Sequence, residues 1–99
     1  MKTLAEIRKD LKEIQYYYMR KEVFDNAYST TGANKVLITV NNYHKIVQQA
    51  PPRLYDLYVS IYINAHTQSS FADKLGVTTE YIQMLHKRLL LYFQNNLIE

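Results

Sequence analysis

The 99-residue chain contains no cysteine and no tryptophan, and only two glycines and two prolines. Without cysteine it can form neither disulfides nor thiolate zinc sites, and it has no cysteine nucleophile. The scarcity of glycine and proline favours long helices over a sandwich or barrel of short strands. A hydrophobic content of 47% is enough for one modest core. We therefore expect a single all-α domain over residues 1–99, a small bundle of about five helices.

Long apolar runs are also lacking. The N-terminal segment MKTLAEIRKDLK has no apolar region of the kind that signal peptides carry, and no run approaches the roughly 20 residues of a membrane span. We expect a cytoplasmic protein that does not contact membranes.

Strong charge of one sign is missing as well. The net charge is +3, and residues 35–53 carry it, because Lys35, Lys45 and Arg53 have no acidic neighbour there. Residues 54–99 hold three basic and four acidic residues. This balance permits nucleic-acid binding but does not by itself indicate it.

The N-terminal segment carries a helical stripe. Its apolar residues recur at alternating spacings of three and four: Leu4, Ile7, Leu11, Ile14 and Tyr18. Thr3 and Glu6 have the spacing of a capping box. Because Phe24 and Tyr28 continue the apolar face, the pattern predicts one long helix over 3–28. Its stripe either packs on the domain's own core or forms a dimer seam.

A polar loop over 29–34 precedes an ambiguous segment. Residues 36–40 have the composition of a strand, yet Val36, Val40, Tyr43 and Val47 keep helical spacing and no partner strand is visible. We therefore predict a middle helix over 34–50. Pro51 ends it, and Pro52 can occupy the first turn of the next helix, over 53–65.

The stretch TQSSFADKLGVTTEYIQMLHKRL, residues 67–89, has the pattern of a helix-turn-helix. Thr67 and Thr78 can each cap a helix, and Gly76 can end the first one in the left-handed region. Phe71 and Leu75 are predicted to point inward, and Ala72 permits close approach. The buried stripe of the second helix is Ile82, Leu85 and Leu89.

The second helix of this pattern would present a reading surface. Thr78 and Thr79, at its N-terminus, can meet a phosphate. Gln83 can pair with adenine, and Met84 can touch a thymine methyl group. Lys87 and Arg88 would reach phosphates, and Glu80 would either accept from cytosine or repel the backbone. The alternative for each side chain is a solvated helix face.

Residues 51–97 resemble the promoter-reading region 4 of bacterial sigma factors. The shared order is a proline-led helix, a short helix with Phe-Ala, then Leu-Gly-Val-Thr and a long recognition helix, here about 78–95. The whole chain is similar to the small late-gene regulators of phages and phage satellites of the ArpU/RinA type. The resemblance implies activation of phage or mobile-element genes through promoter DNA, with RNA polymerase as a further contact.

The run Leu89-Leu-Leu-Tyr-Phe93 is more apolar than one helix face requires. Leu90, Leu91 and Tyr92 are covered by the first helix or else form a partner surface, together with Leu4, Leu11 and Tyr18 of the dimer seam. That surface supports a second hypothesis, a protein-binding module that captures a phage activator or a polymerase subunit and so acts as an antagonist. The spacing of the three histidines predicts no metal site, and no phosphate loop or nucleophile elbow indicates an enzyme or a cofactor.

Overall fold

A computed structural model describes residues 2–21 and 31–97. Within these ranges the fold is all-α, as predicted, with helices α1 Leu4–Met19, α2 Thr31–Val47, α3 Pro52–Tyr58, α4 Gln68–Leu75 and α5 Thr79–Asn96. A π-helical turn, Val59–Ile63, continues α3. None of the described helices is both long enough and apolar enough to cross a membrane.

The core is centred on α5, which packs against α1, α2, α3 and α4. Phe93, near the C-terminal end of α5, is fully buried, and its ring lies 4.8 Å from the ring of Tyr43 and 5.8 Å from that of Tyr58. These aromatic contacts join α2, α3 and α5. One core therefore holds the N-terminal helices and the helix-turn-helix region together.

The start of α1 is as predicted, but its end is not. Glu6 N–H donates to the Thr3 hydroxyl at 3.1 Å, and Thr3 N–H donates to the Glu6 carboxylate at 3.0 Å, which completes the capping box. The prediction of one helix over 3–28 is wrong, because α1 ends at Met19 and Arg20 has non-helical φ −124° and ψ 29°. The buried stripe ends at Tyr17. Lys21, one helical turn further on, where the stripe would continue, is polar and exposed. Phe24 and Tyr28 lie outside the described residues.

The middle segment is a helix and not a strand, as predicted, with shifted ends. α2 begins at Thr31, inside the predicted loop over 29–34, since a helix whose later turns are buried can extend through residues of lower propensity. It ends at Val47 instead of residue 50. At this end of the helix the backbone hydrogen bonds come to span three residues instead of four: Ala50 N–H donates to the Val47 carbonyl at 3.0 Å, just before Pro51.

Candidate nucleic-acid interface

The helix-turn-helix region begins with a turn that sequence patterns did not reveal. Pro52 starts α3 at its first turn as predicted, but the helix widens after Tyr58. Asn64 N–H donates to the Val59 carbonyl, five residues back, at 2.9 Å, and His66 N–H donates to the Ser60 carbonyl at 2.9 Å. Ala65 closes the turn at φ +59°. A non-glycine residue in this left-handed region costs about 1–2 kcal/mol.

A residue of α1 supports this first turn. The Ile61 carbonyl lies in the π-helical segment, and the Gln15 side-chain amide donates to it at 3.0 Å. Ile61 itself is buried, so this carbonyl needs a protein partner. Gln15 thereby connects the N-terminal helix to the start of the helix-turn-helix.

The second turn matches its sequence pattern. Gly76 ends α4 at φ +71°, and its N–H donates to the Asp73 carbonyl at 3.2 Å. Val77 N–H donates to the Ala72 carbonyl at 3.0 Å, which completes a Schellman motif. The Thr67 and Thr78 hydroxyls accept from Ser70 N–H at 3.0 Å and Tyr81 N–H at 3.1 Å, so both predicted N-caps are confirmed.

The two helices pack through the predicted residues with one exception. Phe71 and Ala72 of α4 are buried, as are Ile82, Leu85 and Leu89 of α5. Leu75 was predicted to point inward, and this is wrong: it is 37% exposed. The left-handed residue that follows it turns the chain toward α5, and Val77, half-buried, packs against the core in its place.

The predicted reading residues lie on the side of α5 away from this core. Gln83, Met84, Lys87 and Arg88 are exposed, whereas Thr79 is half-buried. At 100° per residue, Gln83, Met84 and Lys87 fall within one face, and Arg88 lies at its edge. Within the described chain, none of these four side chains forms a hydrogen bond or an ion pair. The face is therefore free to contact another molecule.

His86, to which the sequence patterns assigned no role, bonds the other side of α5 to the first turn. The His86 Nε2 is hydrogen-bonded to the hydroxyl of Tyr62, in the π-helical turn. Burial lowers the pKa of His86 below its usual value, and the positive charge of Arg8 adds to this effect. Burial also raises the pKa of Tyr62 to about 12, so its hydroxyl stays protonated. The first turn is thus bonded to the middle of α5.

The basic residues of segment 35–53 do not combine into one patch beside α5. Lys45 lines a groove of about 350 Å³ with Tyr92 and Asn96, at the C-terminal end of α5. Lys35 instead lines a groove between α1 and α2, with the acidic residues Glu6 and Glu13. The predicted contact surface consequently draws its positive charge from Lys87 and Arg88.

Five of the six residues of the predicted partner surface are buried or half-buried. Leu11 and Leu90 were predicted as interface residues, but they are 0% and 1% exposed because α1 and α5 pack on each other. Leu4, Tyr18 and Tyr92 are half-buried against the same core, and the Tyr92 hydroxyl donates to the Ile46 carbonyl at 2.9 Å. Leu91 alone of this set is exposed, at 38%.

Comparison with known proteins adds no relative: no protein-family model, no curated protein and no solved structure matches the chain.

Proposed function

We propose that the chain is a sequence-specific DNA-binding transcription regulator of a phage or mobile genetic element, with α5 in the major groove. The observation that carries the proposal is the pair of capped helices joined by the Gly76 turn, with Gln83, Met84 and Lys87 exposed on one face of the second helix. This is the arrangement that helix-turn-helix proteins use to present base-reading side chains.

Each residue of the face has a role in this proposal. The N-terminus of α5, at Thr78 and Thr79, contacts a phosphate through its free N–H groups and hydroxyls. Gln83 pairs with the N6 and N7 atoms of adenine, and Met84 contacts a thymine methyl group. Lys87 and Arg88 contact phosphates on either side of the groove.

The first test is selection from random duplex DNA, followed by a salt titration on the selected site. With two cations on this face, Lys87 and Arg88, the affinity should fall with a log–log slope of about −2 for each bound chain. A flat salt response, or the absence of any selected sequence at low salt, would contradict DNA binding.

The second test asks whether Gln83 reads a base. Gln83→Ala should weaken binding to the selected site by roughly 1–3 kcal/mol and leave binding to random DNA nearly unchanged. Gln49→Ala, an exposed glutamine in the turn after α2, is the matched control and should change neither affinity. An equal loss on both DNAs would exclude a base contact by Gln83.

A second function is favoured by one observation, the exposed apolar surface on the same helix. Tyr81, Met84 and Leu91 are 37%, 42% and 38% exposed. Such a surface suits a protein partner, such as a phage activator or a polymerase subunit. Leu91→Ser separates the two functions, because it should weaken capture of purified polymerase or activator and leave DNA affinity unchanged. Unchanged capture would exclude Leu91 from a protein interface.

A further inference from the structure

A second surface of the helix-turn-helix region lies away from α5. It is a groove of about 320 Å³ between α3, with its π-helical turn, and α4. Val59, Phe71 and Leu75 provide its apolar lining, and no residue of α5 lines it. A molecule bound here would leave the exposed face of α5 open.

The groove exposes a leucine that the helix-turn-helix pattern would bury. Leu75 is 37% exposed, and it lies beside Phe71, whose ring also reaches the groove. Covering this leucine would remove apolar surface from water, which is the main favourable contribution to association.

A polar group in the groove lacks a partner. The Ser60 side chain is only 6% exposed, and its hydroxyl forms no hydrogen bond within the described chain. Asn64, one turn further on, is exposed and supplies both a donor and an acceptor. The groove can therefore add hydrogen bonds to its apolar contacts.

The two walls of the groove carry opposite charges. Asp56 stands on the α3 side and Lys74 on the α4 side; both are exposed, and the two do not form an ion pair with each other. A two-fold axis parallel to the groove would place the α3 wall of one copy against the α4 wall of the other. The Asp56 of each copy would then face the Lys74 of the other, so the charge pattern of the groove is self-complementary.

We propose that this groove is a homodimer interface, in which a second copy of the chain docks about a two-fold axis and forms two Asp56–Lys74 pairs. The apolar linings meet at the centre, and the charged pairs form the rim. The dimer presents two α5 helices with their exposed faces free. This association needs no DNA, so it stands or fails independently of the proposed DNA binding.

Charge reversal tests the interface on the full chain, by sedimentation over a concentration series without DNA. The unaltered chain should dimerise, and Asp56→Lys and Lys74→Asp should each raise the dimer dissociation constant by about tenfold or more. The double variant should return to within about threefold of the unaltered chain, because both pairs form again with reversed polarity. Asp73→Lys, an exposed neighbour outside the groove lining, should change little.

Three results would overturn the proposal. The unaltered chain could be monomeric at every concentration, the single reversals could leave dimerisation unchanged, or the double variant could fail to restore it. Helical circular dichroism of each variant verifies folding, and Leu75→Ser provides a second variant that changes no charge and should also weaken the dimer.

Discussion

The two turns of the helix-turn-helix region connect consecutive helices in the same way, but different residues stabilise them. Each ends one helix with a residue at positive φ and starts the next with a threonine cap. At the second turn the residue is Gly76, which adopts this conformation at little cost. At the first it is Ala65, after a π-helical turn, and the arrangement depends on contacts with other helices.

This difference shows where local sequence is sufficient and where it is not. The second turn is specified by Gly76, Val77 and Thr78 themselves. The first turn is held from outside, by the Gln15 amide on the Ile61 carbonyl and by the bond between Tyr62 and His86. Substitutions can measure each contribution separately.

The largest effect is expected at Gln15. Gln15→Leu leaves the buried Ile61 carbonyl without its donor, and the free energy of unfolding should decrease by about 2 kcal/mol. Denaturant unfolding measures the change. Gln94→Leu removes the same type of bond, to the carbonyl of Lys2 just before α1, and should cost less than about 1 kcal/mol. Equal losses would show that the first turn does not depend specially on α1.

The next effect is expected at the second turn. Gly76→Ala should lower the free energy of unfolding by about 1 kcal/mol, because an alanine Cβ is strained at φ +71°. The added Cβ would meet no atom within 4 Å, so the loss reports backbone conformation alone. An unchanged melting temperature would contradict the left-handed geometry.

The reverse substitution at the first turn should act in the opposite direction. Ala65→Gly relieves the strain at φ +59° but gives the unfolded chain more freedom, so a net gain of roughly 0.5 kcal/mol is expected. Thermal unfolding of Ala65→Gly and of Gly76→Ala, measured in parallel, provides the comparison. A loss of stability at Ala65→Gly would mean that the π-helical turn already accommodates alanine without strain.

The smallest effect on stability is expected from the protonation of His86. Because the folded chain lowers the pKa of His86, its neutral form adds stability that is present above about pH 6.5 and lost as the pH falls below it. This contribution is isolated by measuring the free energy of unfolding of the unaltered chain and of His86→Gln between about pH 7.5 and 5.5. The difference between them should shrink on acidification. A constant difference at His86 would exclude the histidine as the source.

Sequence patterns predicted the fold where signals were local or periodic. Thr3, Thr67 and Thr78 cap helices as expected, and the spacing through Val40, Tyr43 and Val47 identified α2 correctly. The end of α1 at Met19 was missed, because the apolar face continues in the sequence after the buried stripe stops. The π-helical turn has no local signature, since Gln15 stabilises it from 46 residues away.

The candidate surface was predictable in part. Helical spacing placed Gln83, Met84 and Lys87 on one face, and all three are exposed. The same reasoning could not decide whether Leu90 and Leu91 were covered, because that depends on where α1 packs. The role of His86 was also hidden, since its partner Tyr62 belongs to another helix.

The contacts of α5 with all the other described helices have a consequence for binding. Hydrogen bonds fix this helix at its start through Thr78, at its middle through His86 and near its end through Tyr92, so it would enter the proposed DNA complex already ordered. It then loses little conformational entropy on association, and little of the interaction energy is spent on ordering it. In the proposed DNA complex, preorganisation of this kind would let a small contact surface with only two cations bind more tightly than its charge alone would suggest.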